Sequence, residues 1–122
     1  MIHEEICTYE VCKLAKAKGF NVPTFGYYRI DTEDWYRTDV YDDWNDSTIR
    51  YSAPTQSLLQ RWLREEKNIH IEIYPVFPSP DKVKYGRWVV ADAITKSIPI
   101  EYFDTYEQAL EDALAYGLRN LD

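Results

Sequence analysis

Residues 54–74 read PTQSLLQRWLREEKNIHIEIY, and they combine a helix with the strand that follows it. Leu58, Leu59, Trp62 and Leu63 recur at the spacing of one helix face. Ser52 is the predicted N-cap of this helix, and Pro54 suits its first turn. Asn68 ends the helix. From residue 69 to residue 74, isoleucines alternate with His70, Glu72 and Tyr74, which is the pattern of a half-buried strand.

Two more helices are predicted, one near each end of the chain. Residues 8–18 begin at the N-cap Thr8 and end before Gly19, which suits the left-handed position after a helix. Lys13 and Lys16 are predicted to face water on its polar side. The last helix is predicted to begin at Asp104, with Glu107 completing a capping box.

Strands are predicted at residues 25–30, 48–51, 85–93 and 97–102, with Pro99 placing the last one at a sheet edge. Residues 31–46 are predicted to form a long loop or an irregular hairpin. The element order is therefore α-β-(β)-α-β-β-β-α. This order predicts the α+β class, with three helices packed on an antiparallel sheet of about four strands, in a single domain covering residues 1–122.

Composition narrows the class of protein. The 122 residues are 45% hydrophobic and 29% charged, with a formal net charge of −7 and a pI near 4.8. Such an acidic chain argues against sequence-independent nucleic-acid binding. No apolar run reaches the roughly 18 residues of a membrane span, and the N-terminus does not resemble a secretory signal. We therefore expect a soluble cytoplasmic protein in which Cys7 and Cys12 are reduced and pack as small hydrophobes.

Residues that could carry catalysis or bind a metal are sparse. Asp42 cannot open a helix–loop–helix calcium site, because Ser47 stands at its sixth position and Ala53 at its twelfth. His70 is predicted to point outward from its strand, and the glycines are not clustered into a phosphate loop. The sequence predicts a non-enzymatic protein with no cofactor, no catalytic residue and no metal site.

Residues 31–46 are the strongest candidate for a binding surface. They contain seven acidic residues and one arginine, a charge of −6, interleaved with aromatic rings. Tryptophan and tyrosine anchor interfaces, and a ring of acids would steer a basic partner. The residues singled out are Trp35, Tyr36, Tyr41, Asp42, Asp43 and Trp44, with Arg61 and Arg64 on the middle helix as a second surface. The alternative is that these aromatic rings fold back onto the sheet as a satellite core. The expected partner is a protein, and a second copy of the chain is one option.

A nucleic-acid-associated regulator is the alternative function. Residues 8–15, with Tyr27-Tyr28-Arg29 downstream, resemble the opening of helix-turn-helix regulators of the mercury-resistance type. Residues 54–121 follow the α-β-β-β-α order of double-stranded-RNA-binding domains. However, Pro23 and Gly26 stand where a recognition helix should follow, and residues 101–122 carry six acids and one arginine, which would repel phosphate.

One further resemblance covers the middle helix and both ends of the chain. The motif SAPTQSLLQRWLRE at residues 52–65, followed by NIHI at residues 68–71, resembles small uncharacterised proteins of gut anaerobic bacteria and their prophages. The helix ending in Lys18-Gly19-Phe20 and the stretch TYEQAL at residues 105–110 are similar to that group too. The resemblance implies an intracellular protein of bacterial or phage origin and no particular activity.

Overall fold

The chain combines three helices with antiparallel strands, and this combination belongs to the α+β class. The computed structural model describes residues 4–91, 95–97 and 102–121. Its elements, in chain order, are α1 (Tyr9–Ala17), β1 (Thr24–Arg29), β2 (Trp35–Asp42), a 3₁₀ turn (Trp44–Asp46), β3 (Arg50–Ser52), α2 (Gln56–Glu66), β4 (Ile69–Ser79), β5 (Lys82–Ala91), β6 (Thr95–Ser97) and α3 (Tyr106–Arg119). None of the helices in these ranges is long and apolar enough to cross a membrane.

The strands of the described residues form two antiparallel sheets instead of one sheet of about four strands. Their orders are β2-β1-β3 and β4-β5-β6, with three strands in each. The number of strands differs at β2, which lies inside the stretch predicted as a long loop or irregular hairpin. Seven of its eight residues are exposed. An alternating pattern requires one buried face, so a strand exposed on both faces gives no such signal.

Backbone contacts group the chain into two compact units, one extending to Leu59 and the other spanning Gln60–Leu121. In the first unit, α1 packs beside β3 and buries Val11, Cys12 and Ala15. Cys7 and Cys12 are both buried thiols, as expected. The predicted cap of α1 is confirmed, because the Thr8 side chain accepts a hydrogen bond from the Val11 N–H.

In the second unit, α3 packs against β4 and β5 and buries Leu114 and Leu118 completely. Gly117 lets the helix lie close to its neighbours, since a Cβ there would lie 3.3 Å from Ile69 Cγ2 and 3.6 Å from Leu63 Cδ1. Arg87 joins β5 to α3 through an ion pair of 2.6 Å with Asp112. Small residues on the helix therefore allow the close packing that the sheet requires.

Three helix ends test the predicted caps. Gly19 has the positive φ of 91° expected after α1, and Asn68 likewise adopts a positive φ of 56° where α2 ends. The cap predicted at Ser52 is wrong, because Ser52 ends β3 and the Thr55 hydroxyl instead accepts from the Leu58 N–H at 3.2 Å.

Two predicted boundaries at the C-terminal end also differ from the structure. The capping box of α3 consists of Thr105 and Gln108 rather than Asp104 and Glu107. Thr105 has the extended conformation of an N-cap, whereas the Asp104 carboxylate forms an ion pair with Lys84. Of the strand predicted at 97–102, residue 97 belongs to β6 and residues 98–101 lie outside the described residues, as do residues 92–94.

Candidate functional site

A shallow concavity opens on one face of the first unit's sheet and holds about 160 Å³. We call it the aromatic groove. Its lining is mainly apolar and includes Phe25, Gly26, Trp35, Arg37, Tyr41 and Pro54. The groove thus combines side chains of β1 and β2 with the segment that leads from β3 into α2.

Gly26 forms the floor of the groove because it has no side chain. A Cβ at this position would lie 3.0 Å from Trp35 Nε1 and 3.1 Å from the Tyr36 carbonyl oxygen. Both distances are tighter than ordinary van der Waals contact, so a larger residue here would push against the Trp35 indole and the neighbouring strand. The glycine therefore positions the largest ring of the groove.

A bulge in β2 places Tyr41 at the rim. The antiparallel register pairs Gly26 with Arg37 and then Thr24 with Asp42, so more residues of β2 than of β1 lie between these two pairs. The Thr38 hydroxyl stabilises the bulge, accepting from the Val40 N–H at 2.7 Å and donating to the Val40 carbonyl at 2.9 Å. The ring of Tyr41 consequently packs against Phe25, with 4.6 Å between their centroids.

The rings around the groove are open to solvent. Phe25 is 51% exposed, Trp35 43% and Tyr41 55%. Monomeric proteins seldom leave several large apolar side chains exposed side by side unless the surface binds something. Trp35 and Tyr41, which the sequence singled out for a binding surface, are thus both exposed.

Trp44, by contrast, lies on the opposite face of the sheet and is half-buried. Its Nε1 donates to the Thr24 carbonyl oxygen at 3.1 Å, and its ring centroid lies 5.0 Å from that of Tyr27. Tyr36 stacks on the other side of Tyr27 at 5.6 Å, and the Arg50 guanidinium lies 4.8 Å from the Tyr27 centroid. On this face the aromatic rings form the satellite cluster that was the alternative for residues 31–46.

Few of the acidic residues in segment 31–46 form ion pairs or caps. Asp31 pairs with Arg29 at 2.7 Å, and the hydrogen bond from that guanidinium lowers the pKa of the Asp31 carboxyl. Asp43 caps the 3₁₀ turn by accepting from the Asn45 N–H at 3.0 Å. Among the described residues, Asp31 is the only acid of segment 31–46 in an ion pair. The other six negative charges are not neutralised by an ion pair.

The second predicted surface contains Arg61 and Arg64, both exposed on α2. Arg61 forms an ion pair of 2.6 Å with Glu65 one turn along the helix. Exposed pairs of this kind contribute little free energy. Both arginines belong to the second unit, and neither lines the aromatic groove.

The described ranges contain no group of three or more His, Cys, Asp or Glu residues placed to hold a metal ion. His70 is exposed on β4, and its Nε2 lies 3.0 Å from Asn68 Oδ1. A helix-turn-helix is not formed at the N-terminus, because β1 follows α1 where the recognition helix would stand. Among the described residues, the aromatic groove is the candidate site for recognition.

Among the groove residues, the sequence singled out Trp35 and Tyr41 but not, for example, Phe25, Gly26, Arg37 or Pro54. Phe25 and Gly26 lie in the strand predicted at residues 25–30, and Pro54 lies in the predicted first turn of the middle helix. Neither position by itself indicates a binding role. The one available signal was a glycine within an aromatic strand, which often marks the close approach of another group.

No protein-family model matches the chain, and no curated protein or solved structure matches it either.

Proposed function

We propose that the protein is a non-enzymatic protein-binding module and that it recognises a polypeptide partner through the aromatic groove. The observation that carries the proposal is the group of exposed rings, Phe25, Trp35 and Tyr41, around a concavity with a glycine floor. Rigid aromatic rings at the centre of an interface contribute a large contact area at a small entropic cost.

The size of the groove indicates what it holds. A volume of about 160 Å³ suits one or two amino-acid side chains, whereas small-molecule sites usually measure about 300–1,000 Å³. Its open form and mainly apolar lining fit the anchor side chain of a peptide. Asp34, next to Trp35 in the sequence, and Asp39 and Asp42 within β2 are exposed acids, and they favour an anchor set among basic residues.

A displayed library of random twelve-residue peptides, panned on the immobilised full chain, tests this function. We expect enriched peptides that combine an aliphatic or aromatic residue with lysine or arginine. Trp35→Ala and Tyr41→Ala should each weaken binding about tenfold or more, as central aromatic anchors do.

Phe77→Ala is the matched control, because Phe77 is 69% exposed on β4 in the other unit and lies outside the groove. This variant should bind the selected peptides like the unaltered chain. The proposal is wrong if panning enriches no peptide, or if the enriched peptides bind Trp35→Ala as tightly as they bind the unaltered protein.

Nucleic-acid binding is the second candidate, and one observation favours it: α2, β4, β5, β6 and α3 keep the element order of a double-stranded-RNA-binding domain. Charge opposes it, because Glu107 lies in the first turn of α3 and Lys84 is paired with Asp104 just before that helix. Shared topology carries no function by itself. Fluorescence anisotropy with a labelled RNA duplex distinguishes the two candidates, and we expect no binding at physiological salt.

A further inference from the structure

We infer that the partner adds a strand to the free edge of β2, as an extended basic segment that places an apolar side chain in the aromatic groove. This inference rests on the proposed function and specifies the form and charge of the partner. The observation that supports it is that β2 lies at the edge of its sheet and that its side chains also line the aromatic groove.

Within the part of the chain that the structure describes, β2 is an outer strand, and its main chain offers hydrogen-bonding groups at this edge. The hairpin closes with the Arg29 N–H donating to the Asp34 carbonyl oxygen at 2.9 Å, and Tyr27 then faces Tyr36. Alternate pairs of an antiparallel ladder are bonded, so the N–H and C=O groups of Trp35 and Arg37 point away from β1. Since β2 is the outer strand of its sheet, these groups are available to another chain.

The side chains of the same two residues face the groove. Trp35 and Arg37 both line it, whereas Tyr36 between them packs on Tyr27 at the opposite face. A strand that paired with Trp35 and Arg37 would turn every second side chain toward the groove. Main-chain pairing and anchor binding are therefore compatible in a single extended segment.

The edge strands β2 and β4 differ in their proline content. In the second unit, the edge strand β4 contains Pro75 and Pro78, which lack the N–H that strand addition uses. β2 contains no proline, and its residues Trp35–Arg37 are all exposed. Proline thus interrupts the edge at β4, whereas the edge at β2 has no such interruption.

Charge identifies a basic segment rather than a second copy as the occupant. If two β2 strands paired around Tyr36, Glu33 of each copy would stand opposite Asp39 of the other, and like charges in this position repel. The segment carries seven acids against one arginine and the whole chain has a net charge of −7, so a second copy would be repelled as it approached. A lysine-rich strand would instead be attracted.

The probe is a fluorescein-labelled seven-residue peptide in which lysine alternates with Val, Leu and Val, titrated into the full chain. Two further forms carry N-methyl groups, one on the lysine amides and one on the apolar residues' amides. Only one edge of an added strand faces β2, so one methylated form should lose about tenfold in affinity and the other less than about threefold. The same peptide with glutamate for lysine should not bind, and added salt should weaken binding of the lysine form.

Arg37→Pro and Arg37→Ala form a matched pair on the protein. Both remove the guanidinium, but only proline also removes the outward N–H, while the fixed φ of proline suits an edge strand. Arg37→Pro should therefore bind the lysine peptide about five- to tenfold more weakly than Arg37→Ala. Circular dichroism of both variants checks that the sheet is retained, and the methylated peptides test the edge without altering the protein.

Each contrary outcome has a distinct meaning. If Trp35→Ala abolishes binding while both methylated peptides bind equally, strand addition is wrong and the proposed function stands. If the library peptides bind but the lysine peptide does not, the inferred partner chemistry is wrong. If sedimentation shows a dimer that strengthens with salt and is lost in Arg37→Pro, the occupant of the edge is a second copy and the inference is overturned. If no peptide of either kind binds, both proposals are wrong.

Discussion

At the scale of single residues, Lys16 shows how a charged side chain can serve as a structural link. It was predicted to face water, but its ammonium group donates to the carbonyl oxygens of Ser47 and Arg50, the latter at 3.1 Å. The same group lies 5.5 Å from the centre of the Tyr51 ring. These contacts hold α1 against the strand β3, and β3 in turn pairs with the groove strand β1.

Lys16→Met should therefore lower the free energy of unfolding by about 1–3 kcal/mol, because two partly buried carbonyl groups lose a charged donor. Lys13→Met is the matched control, since Lys13 is exposed on the same helix and its loss should change stability by less than about 0.5 kcal/mol. Urea denaturation followed by tryptophan fluorescence measures both. Equal effects of the two substitutions would mean that Lys16 does not act as a link.

At the scale of elements, a helix or strand was predictable where its own residues show the apolar spacing or the capping residues of that element. The helices α1, α2 and α3 have an apolar face and local caps, so their existence follows from spacing alone. Cap positions were less certain, because Asp104 and Thr105 are adjacent and both residue types cap well. β2 could not be predicted, since a strand exposed on both faces has the composition of a loop.

The cap of α3 gives a test at this scale. The Thr105 hydroxyl accepts from the Gln108 N–H at 3.1 Å, and the Thr105 N–H donates to the Gln108 side chain at 3.2 Å. Thr105→Ala should thus destabilise the protein by about 1 kcal/mol. Asp104→Asn should cost less, because it weakens only the exposed ion pair with Lys84. Thermal unfolding of the two variants ranks them, and the reverse order would restore Asp104 as the cap.

At the scale of the whole molecule, charge is the property that acts over the longest range. Twenty-one acidic residues against 14 basic ones give the net charge of −7, and residues 31–46 alone contribute −6. Such a field keeps copies of the chain apart and accelerates the approach of a basic partner, in both cases less strongly as salt rises.

Solubility as a function of pH tests this property without any partner. The sequence pI is near 4.8, so mutual repulsion should vanish there and solubility should pass through a minimum close to that pH. Asp31 has a lowered pKa and so loses its charge at a lower pH than an ordinary aspartate. A solubility minimum near neutral pH would contradict the assigned charge balance.

The sequence by itself determined the fold class, the three helices, the left-handed residue Gly19, and the acidic, aromatic character of residues 31–46. These features depend on spacing, capping and composition, all of which act over a few neighbouring residues. Tertiary structure alone decided the division into two sheets and the aromatic groove, which joins Gly26, Trp35 and Pro54 from three separate segments. The register of β1 on β2 and of β3 on β1 brings these residues together, and pairing between strands that each lack a strong pattern is not encoded in any one strand alone.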